Sequence, residues 1–334
     1  MIYFLKIKNK NFFPFPILSN RLNAFLLVYI KVFFLMQFYV RATHFLFRIK
    51  LNLTILLGHA KFGPCVKDEE LLASDQVVFL GQVIGLILAD DRTTAKKAAG
   101  LVEIEYEPLE EVITIQDAIE RDSFFADDDL ELKVGKIDER TFKIEPELEG
   151  QEFVFEGKCR IGGQEHFYFE THGCLVIPVE GDELIVYSST QNPTETQMEI
   201  AAVLGIPQNR VVCKVKRIGG GFGGKESRAT YLSVLTAVCS SLVKRPVRCI
   251  LERDVDMLIS GKRHSFWADY KIRVDKDGSF KALTLDMIAN AGCSLDLSKA
   301  IMERAIAHCD NVYKLPILHV LGRLAKTNVA SNTA

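Results

Sequence analysis

RIGGGFGGKES, the stretch from Arg217 to Ser227, places five glycines and one phenylalanine at six consecutive positions and follows them with Lys225 and Glu226. Glycine lacks a Cβ, so it adopts positive φ angles and lets the backbone come close to a ligand, at a cost in conformational entropy. The run VVCKVKRI leading into the glycines is typical of a strand, and ESRATYLSVLTAVCSSLV after them has the apolar spacing of a helix. The cluster therefore predicts a turn around a bound group.

Dinucleotide binding is one interpretation of the cluster. Gly219, Gly221 and Gly224 have the G-x-G-x-x-G spacing between a strand and a helix. Glu252 then ends the next predicted strand, where such units place an acidic residue. Against this interpretation, the strand before the glycines carries the basic run KVKR, whereas a central parallel strand buried on both faces is nearly continuous in apolar residues.

A phosphate-binding P-loop is the second interpretation. The stretch from Gly219 to Lys225 fits G-x-x-x-x-G-K, but position 226 is Glu, where magnesium binding requires Ser or Thr. In a third interpretation, the glycine backbone cradles an anionic cofactor and Glu226 faces a substrate that offers protons. The simplest alternative is a structural turn in which Glu226 caps the helix, since acidic residues are favoured in a first turn.

The overall composition is that of a globular protein with a sizeable core. The chain has 334 residues, of which 48% are hydrophobic and 25% charged, and a net charge of -2 gives no indication of a nucleic-acid partner. The eight cysteines are scattered singly, without the spacing of zinc or iron–sulfur ligands. A reduced, cytoplasmic setting is therefore expected.

The N-terminal region differs from the rest of the chain because residues 1–67 contain no Asp or Glu. Within it, residues 23–40 (NAFLLVYIKVFFLMQFYV) form the one transmembrane candidate, and Lys31 divides that stretch. A central lysine costs about 2.5 to 3.5 kcal/mol on membrane-insertion scales, which argues against an anchor. We expect residues 1–62 to be a basic, apolar extension that is disordered or foreign to the folded part.

The rest of the chain predicts an α+β fold. Residues 63–125 alternate strand and helix patterns, and residues 126–149 are acidic and weakly apolar, which predicts a surface linker. Strand and helix patterns resume from residue 150 to residue 334. The helix after the glycines is expected to bury one face, formed by Leu232, Leu235, Val238, Cys239 and Leu242.

A second candidate site is HFYFETH, residues 166–172. In a strand, His166, Tyr168, Glu170 and His172 would project from one face, so two histidines and a carboxylate could bind a metal as in non-haem iron enzymes. Ligands two residues apart on a flat strand seldom converge on one ion, however. We therefore favour a polar sheet face whose side chains pack or bond locally.

Six segments together resemble the molybdenum-binding part of the molybdenum hydroxylase family, which includes the xanthine dehydrogenases and aldehyde oxidases. The segments are GGQEHFYFET, SSTQNPTETQ, VVCKVKRIGGGFGGKESR, RPVRCILERDVDMLISGKRHSF, LDLSKAIMERA and GRLAKTNVASNTA. The resemblance runs from about Gly63 to Ala334. It implies part of an α/β-hammerhead domain at residues 63–125 and a first molybdopterin-binding α+β domain at residues 150–334, truncated at its C-terminal end.

The resemblance implies that several residues contact the molybdopterin cofactor. Gln191 would hydrogen-bond the oxo ligand of the molybdenum, and the backbone of Gly220, Gly221 and Phe222 would lie beside the cofactor. The pterin holds the molybdenum, so no side chain of the chain is expected to coordinate the metal directly.

The same resemblance implies a purine pocket. Glu226 would bind ring nitrogens, Arg304 would stabilise negative charge growing on a carbonyl oxygen, and Leu297 would line the pocket. Aldehyde oxidases lack the paired acid and arginine at these motif positions, so a purine is favoured over an aldehyde. The implied reaction is hydroxylation of hypoxanthine to xanthine and then urate, with water supplying the oxygen.

Other parts of the family are not represented in this sequence. The 2Fe–2S and FAD domains belong to the full-length proteins, which form homodimers in the cytoplasm, with the peroxisome as the alternative compartment. The sequence ends before the family's FRGFGG segment and before its catalytic glutamate, so we expect no turnover by this chain alone. The open alternatives are a piece of a purine-oxidising enzyme, an aldehyde oxidase, or an inactive relic or membrane-tethered binding protein.

Overall fold

The structure is a computed structural model that describes residues 2–5, 26–30, 61–102, 104, 106–126, 130–138 and 140–334. Most of the predicted extension at residues 1–62, including all of the membrane candidate except positions 26–30, lies outside the described residues. In the described part, no helix has the length and apolar character needed to cross a membrane.

The described residues form a mixed arrangement of strands and helices, which confirms the predicted α+β class. The strands are β1 (Ile2–Leu5), β2 (Leu26–Ile30), β3 (Lys61–Phe62), β4 (Glu69–Glu70), β5 (Gln76–Val77), β6 (Leu86–Ala89), β7 (Tyr106–Leu109), β8 (Leu130–Val134), β9 (Glu152–Ile161), β10 (Gly173–Pro178), β11 (Leu184–Ser188), β12 (Val211–Lys214), β13 (Val247–Ile250), β14 (Phe266–Asp275), β15 (Phe280–Gly292) and β16 (Ile317–Lys326). The α-helices are α1 (Arg92–Gly100), α2 (Ile115–Glu120), α3 (Pro193–Leu204), α4 (Arg228–Val243), α5 (Arg253–Ile259) and α6 (Ser298–Ala307).

The chain divides into two compact units that do not follow the predicted sequential domains. The first unit combines Met1–Glu111 with His166–Gly261, and the second combines Val112–Glu165 with Lys262–Ala334. Each unit is therefore built from two separate stretches of sequence. Local patterns could not reveal this, because they do not show which distant stretches pack together.

The first unit is organised around a six-stranded mixed sheet in the order β12-β11-β10-β13-β2-β6. Strand β12 lies at its edge and pairs in parallel with β11, while β10 is antiparallel to both β11 and β13. Two smaller sheets, β5-β1-β7 and β3-β4, complete the unit. The glycine cluster follows β12 and so leaves the sheet at one edge.

Helix α4 is buried on every side rather than on one face. Every residue from Arg228 to Ser240 is buried, although Leu242, which was expected on the buried face, is 38% exposed. The polar side chains tolerate burial because they are hydrogen-bonded, and two of them bond back to their own helix. Ser233 donates to the Ala229 carbonyl and Thr236 to the Leu232 carbonyl, both at 2.8 Å.

Two segments of the predicted N-terminal extension take part in the sheets of the first unit. Strand β1 pairs antiparallel with β5 and β7, and β2 pairs in parallel with β13 and antiparallel with β6. Their sequences, IYFL and LLVYI, are rich in residues that favour strands. For these two segments the structure differs from the expected separate extension.

The second unit contains a five-stranded sheet in the order β8-β16-β15-β14-β9. Helix α6 packs on it through Met302 and Ile306, which share a buried cluster with Leu318 and Val320 of β16. Helix α2 begins with a capping box between Thr114 and Asp117.

The predicted acidic linker at residues 126–149 contains a strand of this sheet, so the linker interpretation needs correction there. Strand β8 pairs antiparallel with β16, with Leu130 opposite Gly322 and Val134 opposite Leu318. Its sequence LELKV alternates apolar and charged residues, the period of a half-buried strand. The acidic residues around it obscured that pattern.

Candidate functional site

The end of β11 and the glycine cluster are joined through Gln191. After β11, the chain turns at residues 189–192, and Asn192 caps α3 by accepting a hydrogen bond from the Glu195 N–H at 3.2 Å, with Pro193 in the first turn. Gln191 N–H donates to the Lys225 carbonyl at 2.8 Å. The turn before α3 and the glycine cluster therefore share backbone contacts.

The Gln191 side chain is oriented by the glycine cluster. Its Oε1 accepts hydrogen bonds from the backbone N–H groups of Gly223 at 3.1 Å and Lys225 at 3.2 Å. Both partners are donors, so the oxygen must face them and the Nε2 amino group must face away. In the described part of the chain, no residue accepts a hydrogen bond from Nε2, and Gln191 is exposed.

Two of the glycines are required because side chains already fill the space beside them. A Cβ added at Gly221 would lie 2.4 Å from Gln191 Oε1, and one added at Gly224 would lie 2.6 Å from His166 Nδ1. Such distances are far inside van der Waals contact. The cluster is therefore in close contact with the two segments that flank it.

The middle of the cluster adopts left-handed backbone conformations. Gly220 has φ 95° and Phe222 has φ 52°, an uncommon value for a residue with a bulky side chain. The Phe222 side chain is 69% exposed, so its own burial does not offset this strain. Strain of this kind persists where the surrounding contacts impose it, which is frequent at ligand sites.

HFYFETH is not a strand, which contradicts the geometry on which a metal site would depend. The segment lies between β9 and β10, and Phe167 within it has φ 45°. Across the described residues, no group of three or more metal-binding side chains is found. Its polar side chains bond to distant segments instead of forming the expected polar sheet face: Tyr168 and His172 contact Asp256, and Glu170 contacts Lys225.

Tyr168 and His172 form a buried network with Asp256 of α5. The His172 N–H donates to Asp256 Oδ2 at 2.6 Å, and the Tyr168 hydroxyl donates to Oδ1. His172 Nδ1 lies 3.1 Å from Asp256 Oδ2, and its Nε2 lies 3.1 Å from the Gly224 carbonyl. This network contacts the glycine cluster at the Gly224 carbonyl.

The network also determines the charge of its carboxylate. Burial by itself would raise the pKa of Asp256, but the hydrogen bonds and charge of His172 and the bond from Tyr168 outweigh it, so the pKa is lowered. Burial and the neighbouring Asp256 charge raise the pKa of Tyr168. The carboxylate is therefore ionised and the phenol neutral near pH 7.

Glu226 follows the glycine cluster and is partly buried. Helix α4 begins at Arg228 with Ser227 at its N-cap, so Glu226 precedes the N-cap and does not lie in the first turn. The alternative in which Glu226 caps the helix is therefore wrong.

Leu297 and Arg304 lie in the second unit, on α6. Leu297 is the N-cap residue, and Arg304 is an exposed residue near the end of the helix. They are seven residues apart, so they share one face of the helix and are separated by about 10 Å along its axis. His264 lies 2.7 Å from the Ser298 hydroxyl and thereby anchors the start of this helix.

A match to a known family covers most of this structure. Residues 130–334 match the family model of the molybdopterin cofactor-binding domain. The chain belongs to the molybdopterin cofactor-binding family. Residues 56–110 match a second family model, the a/b hammerhead domain of aldehyde oxidase and xanthine dehydrogenase.

Curated relatives agree with these family models. The chain is 48% identical over 272 residues to a xanthine dehydrogenase from Dictyostelium discoideum, a match that covers 81% of this chain and 19% of the relative. It is 49% identical over 275 residues to a xanthine dehydrogenase from Blastobotrys adeninivorans, covering 82% and 19%. The chain thus spans about a fifth of the length of these relatives.

Solved structures show that the fold is shared. Quinoline 2-oxidoreductase from Pseudomonas putida 86 matches with a TM-score of 0.77 at 22% identity, covering 94% of this chain and 42% of that one. Aldehyde oxidoreductase from Desulfovibrio gigas matches with a TM-score of 0.76 at 20% identity, covering 87% and 32%. The predicted fold class, with its hammerhead and molybdopterin-binding parts, is therefore confirmed.

The family and the fold together exclude the dinucleotide and P-loop interpretations of the glycine cluster. Strand β12 lies at the edge of a mixed sheet instead of at the centre of a parallel one. The described residues also fit the molybdopterin cofactor. The cluster combines exposed positions at Gly219 and Phe222, a glycine at 221 whose missing Cβ leaves Gln191 in place, and the amide donors of the exposed Gln191.

The structure adds residues that sequence reasoning did not assign to the site. Lys225 is fully buried behind the cluster, next to Glu170 and Ser189. The one local signal that could have indicated this buried lysine is its position directly after the five glycines. Because lysine is rarely buried without a partner, a charged partner would then have been expected.

Proposed function

We propose that this chain forms part of the molybdopterin site of a molybdenum-dependent oxidoreductase that hydroxylates purines, converting hypoxanthine to xanthine and xanthine to urate. The observation that carries the proposal is the orientation of Gln191, whose oxygen is held by Gly223 and Lys225 while its amide donors point outward. Relatives named xanthine dehydrogenase support the purine as substrate.

The cofactor would be held by backbone and amide groups. When bound, the molybdenum cofactor supplies the redox chemistry, and the protein binds, orients and tunes it. Gln191 Nε2 would donate a hydrogen bond to an oxygen of the cofactor, and the backbone of Gly220, Gly221 and Phe222 would lie against it. The pterin would hold the molybdenum, so no side chain of this chain is expected as a direct metal ligand.

The substrate would be recognised by two opposite charges and an apolar side chain. Glu226 would accept protons from ring nitrogens and exchange them with the heterocycle. Arg304 would stabilise negative charge that grows on a carbonyl oxygen, and Leu297 would contact the ring. An aldehyde offers no ring nitrogen to Glu226, so the acid favours a purine.

We also propose how the molybdopterin site would work within a full-length protein of this family. Iron–sulfur and flavin domains would carry electrons away from the molybdenum, and two copies would assemble as a homodimer in the cytoplasm. The similarity to xanthine dehydrogenases supports this wider arrangement.

Cofactor binding is tested with the full chain loaded with molybdopterin cofactor. Molybdenum and pterin are counted per chain after gel filtration, in the wild type and in Gln191→Ala. We expect near-stoichiometric retention in the wild type and a loss of about tenfold or more in affinity for the variant, because a charge-assisted hydrogen bond contributes about 1.5–3 kcal/mol. Equal retention by both proteins would contradict the assigned role of Gln191.

Purine recognition is tested separately by equilibrium dialysis of hypoxanthine against the loaded chain. Glu226→Gln and Arg304→Met are each expected to weaken binding by about tenfold to a hundredfold, since each removes a charged hydrogen-bond partner. Glu303→Gln, which changes the exposed neighbour of Arg304, is the control and should bind like the wild type. Unchanged affinity in both site variants would refute the purine assignment.

A further inference from the structure

One carboxylate oxygen joins three segments around the glycine cluster. Glu170 Oε2 accepts hydrogen bonds from the Ser189 hydroxyl at 2.6 Å, the Gly219 N–H at 2.7 Å and the Lys225 ammonium at 3.0 Å. Gly219 is the first residue of the cluster, Lys225 directly follows its last glycine, and Ser189 precedes Gln191 by two residues. The two ends of the cluster and the end of β11 therefore meet at a single atom.

Backbone contacts reinforce this junction. The Glu170 N–H donates to the Gly219 carbonyl at 3.2 Å, and a Cβ added at Gly219 would lie 2.6 Å from the Glu170 Cβ. The segment that carries Glu170 therefore lies directly against the start of the cluster. No larger residue fits at position 219 without moving it.

The lysine at this junction is enclosed by its partners. Lys225 has no exposed surface, and its ammonium also donates to the Ser189 hydroxyl at 2.8 Å and lies 4.7 Å from the centre of the Tyr168 ring. Burial lowers the pKa of Lys225, and the bond and charge of Glu170 offset part of that effect. A buried ammonium requires a compensating charge, which Glu170 provides.

The position of Lys225 in turn determines that of Gln191. The Lys225 N–H donates to Gln191 Oε1 at 3.2 Å, and the Lys225 carbonyl accepts from the Gln191 N–H at 2.8 Å. Glu226 is the next residue along the chain. Any movement of the Lys225 backbone therefore changes the direction of the Gln191 amide and the place of Glu226.

We infer that Glu170 is a positioning residue for the cofactor and substrate groups, because it fixes both ends of the glycine cluster and so orients Gln191 and Glu226. The expected effect of Glu170 on cofactor binding rests on the proposed function, whereas its ordering of the glycine cluster rests on the contacts alone. Glu170 is not proposed to touch cofactor or substrate. Its effect passes through Lys225 and Gly219.

The test uses the full chain with the variant Glu170→Gln, which keeps the size of the side chain and removes its charge. Amide hydrogen exchange is measured first without cofactor. We expect exchange at Gly219, Gly223 and Lys225 to speed up by about tenfold or more, since a charge-assisted bond becomes a neutral one. Asp182→Asn is the matched control, because Asp182 forms an exposed ion pair with Lys244 in the same unit.

The second measurement is pterin retained per chain after loading with molybdopterin cofactor. We expect Glu170→Gln to bind the cofactor about tenfold more weakly than the wild type, and Asp182→Asn to bind like the wild type. Weaker binding with unchanged exchange would overturn the inference, since Glu170 would then act directly on the cofactor. Unchanged binding and exchange would overturn it as well.

The two measurements separate this inference from the proposed function. If the wild type itself retains no pterin, the proposed function fails, while the exchange data still decide whether Glu170 orders the cluster. If Glu170→Gln does not fold, Ser189→Ala replaces it, because it removes one donor to Glu170 and one acceptor of Lys225 at the same junction while leaving the ion pair between Glu170 and Lys225 intact. Faster exchange at Lys225 in that variant supports the junction, and wild-type exchange refutes it.

Discussion

Replacing Gly221 with alanine should displace the Gln191 side chain selectively. The added Cβ would lie 2.4 Å from Gln191 Oε1, 2.5 Å from its Cδ and 2.8 Å from its Cγ. Gly221 has no positive φ, so its backbone can accept alanine without strain. The exposed glutamine is therefore the group that must move.

The cost follows from the bonds that this movement breaks. Gln191 Oε1 would lose its hydrogen bonds from Gly223 and Lys225, each with a net contribution of about 0.5–1.5 kcal/mol. Alanine also restricts the unfolded chain, which offsets about 0.4–1 kcal/mol. We expect the free energy of unfolding to fall by about 1–2 kcal/mol.

Urea unfolding followed by circular dichroism measures this loss, and amide exchange at Gly223 and Lys225 locates it. Gly162→Ala is the control, because a Cβ there meets no atom within 4 Å and its φ is ordinary, so this variant should be more stable than the wild type by about 0.4–1 kcal/mol. Wild-type protection of both amides in Gly221→Ala would show that Gln191 is not held as described.

Two further predictions concern buried charges in the first unit. Glu69→Ala should lower the free energy of unfolding by about 3–5 kcal/mol in urea titrations, because it leaves Arg228 buried without the carboxylate that it contacts at 2.6 and 2.7 Å. A loss below about 1 kcal/mol would contradict a buried ion pair between the two residues. Asp256→Asn should be less stable than the wild type at pH 7. The folded pKa of Asp256 lies below its usual 3.8, so the stability that its charge contributes is present above that pH and is lost as the pH falls through the folded value. The difference in free energy of unfolding between the wild type and Asp256→Asn should therefore shrink in acid. A difference that stays constant with pH would refute this.

Local patterns in the sequence predicted the elements whose formation depends on local signals. The helix after the glycines and the turn between β12 and α4 both appear, because apolar spacing and glycine content act over a few residues. Strand β8 was missed because its alternation is short and surrounded by acidic residues. The HFYFETH segment was also misjudged, because Asp256, 84 residues away, supplies bonds that replace a strand ladder.

In the candidate site, too, local motifs predicted some residues, whereas contacts between distant residues could not be predicted. The motif positions of Gln191, Gly220, Gly221 and Phe222 come together in the structure around the glycine cluster. The contact between Glu170 and Lys225 joins residues 55 apart, and no local pattern predicts such a pairing.

The most direct test of the central claim is the nuclear magnetic resonance signal of the Gln191 side-chain amide, recorded before and after addition of molybdopterin cofactor. We predict that the Nε2 protons shift and exchange more slowly with the cofactor, while the backbone amides of Gly223 and Lys225 stay protected throughout. An unchanged Gln191 signal with the cofactor bound would show that it binds elsewhere, and the assignment of this site would be wrong.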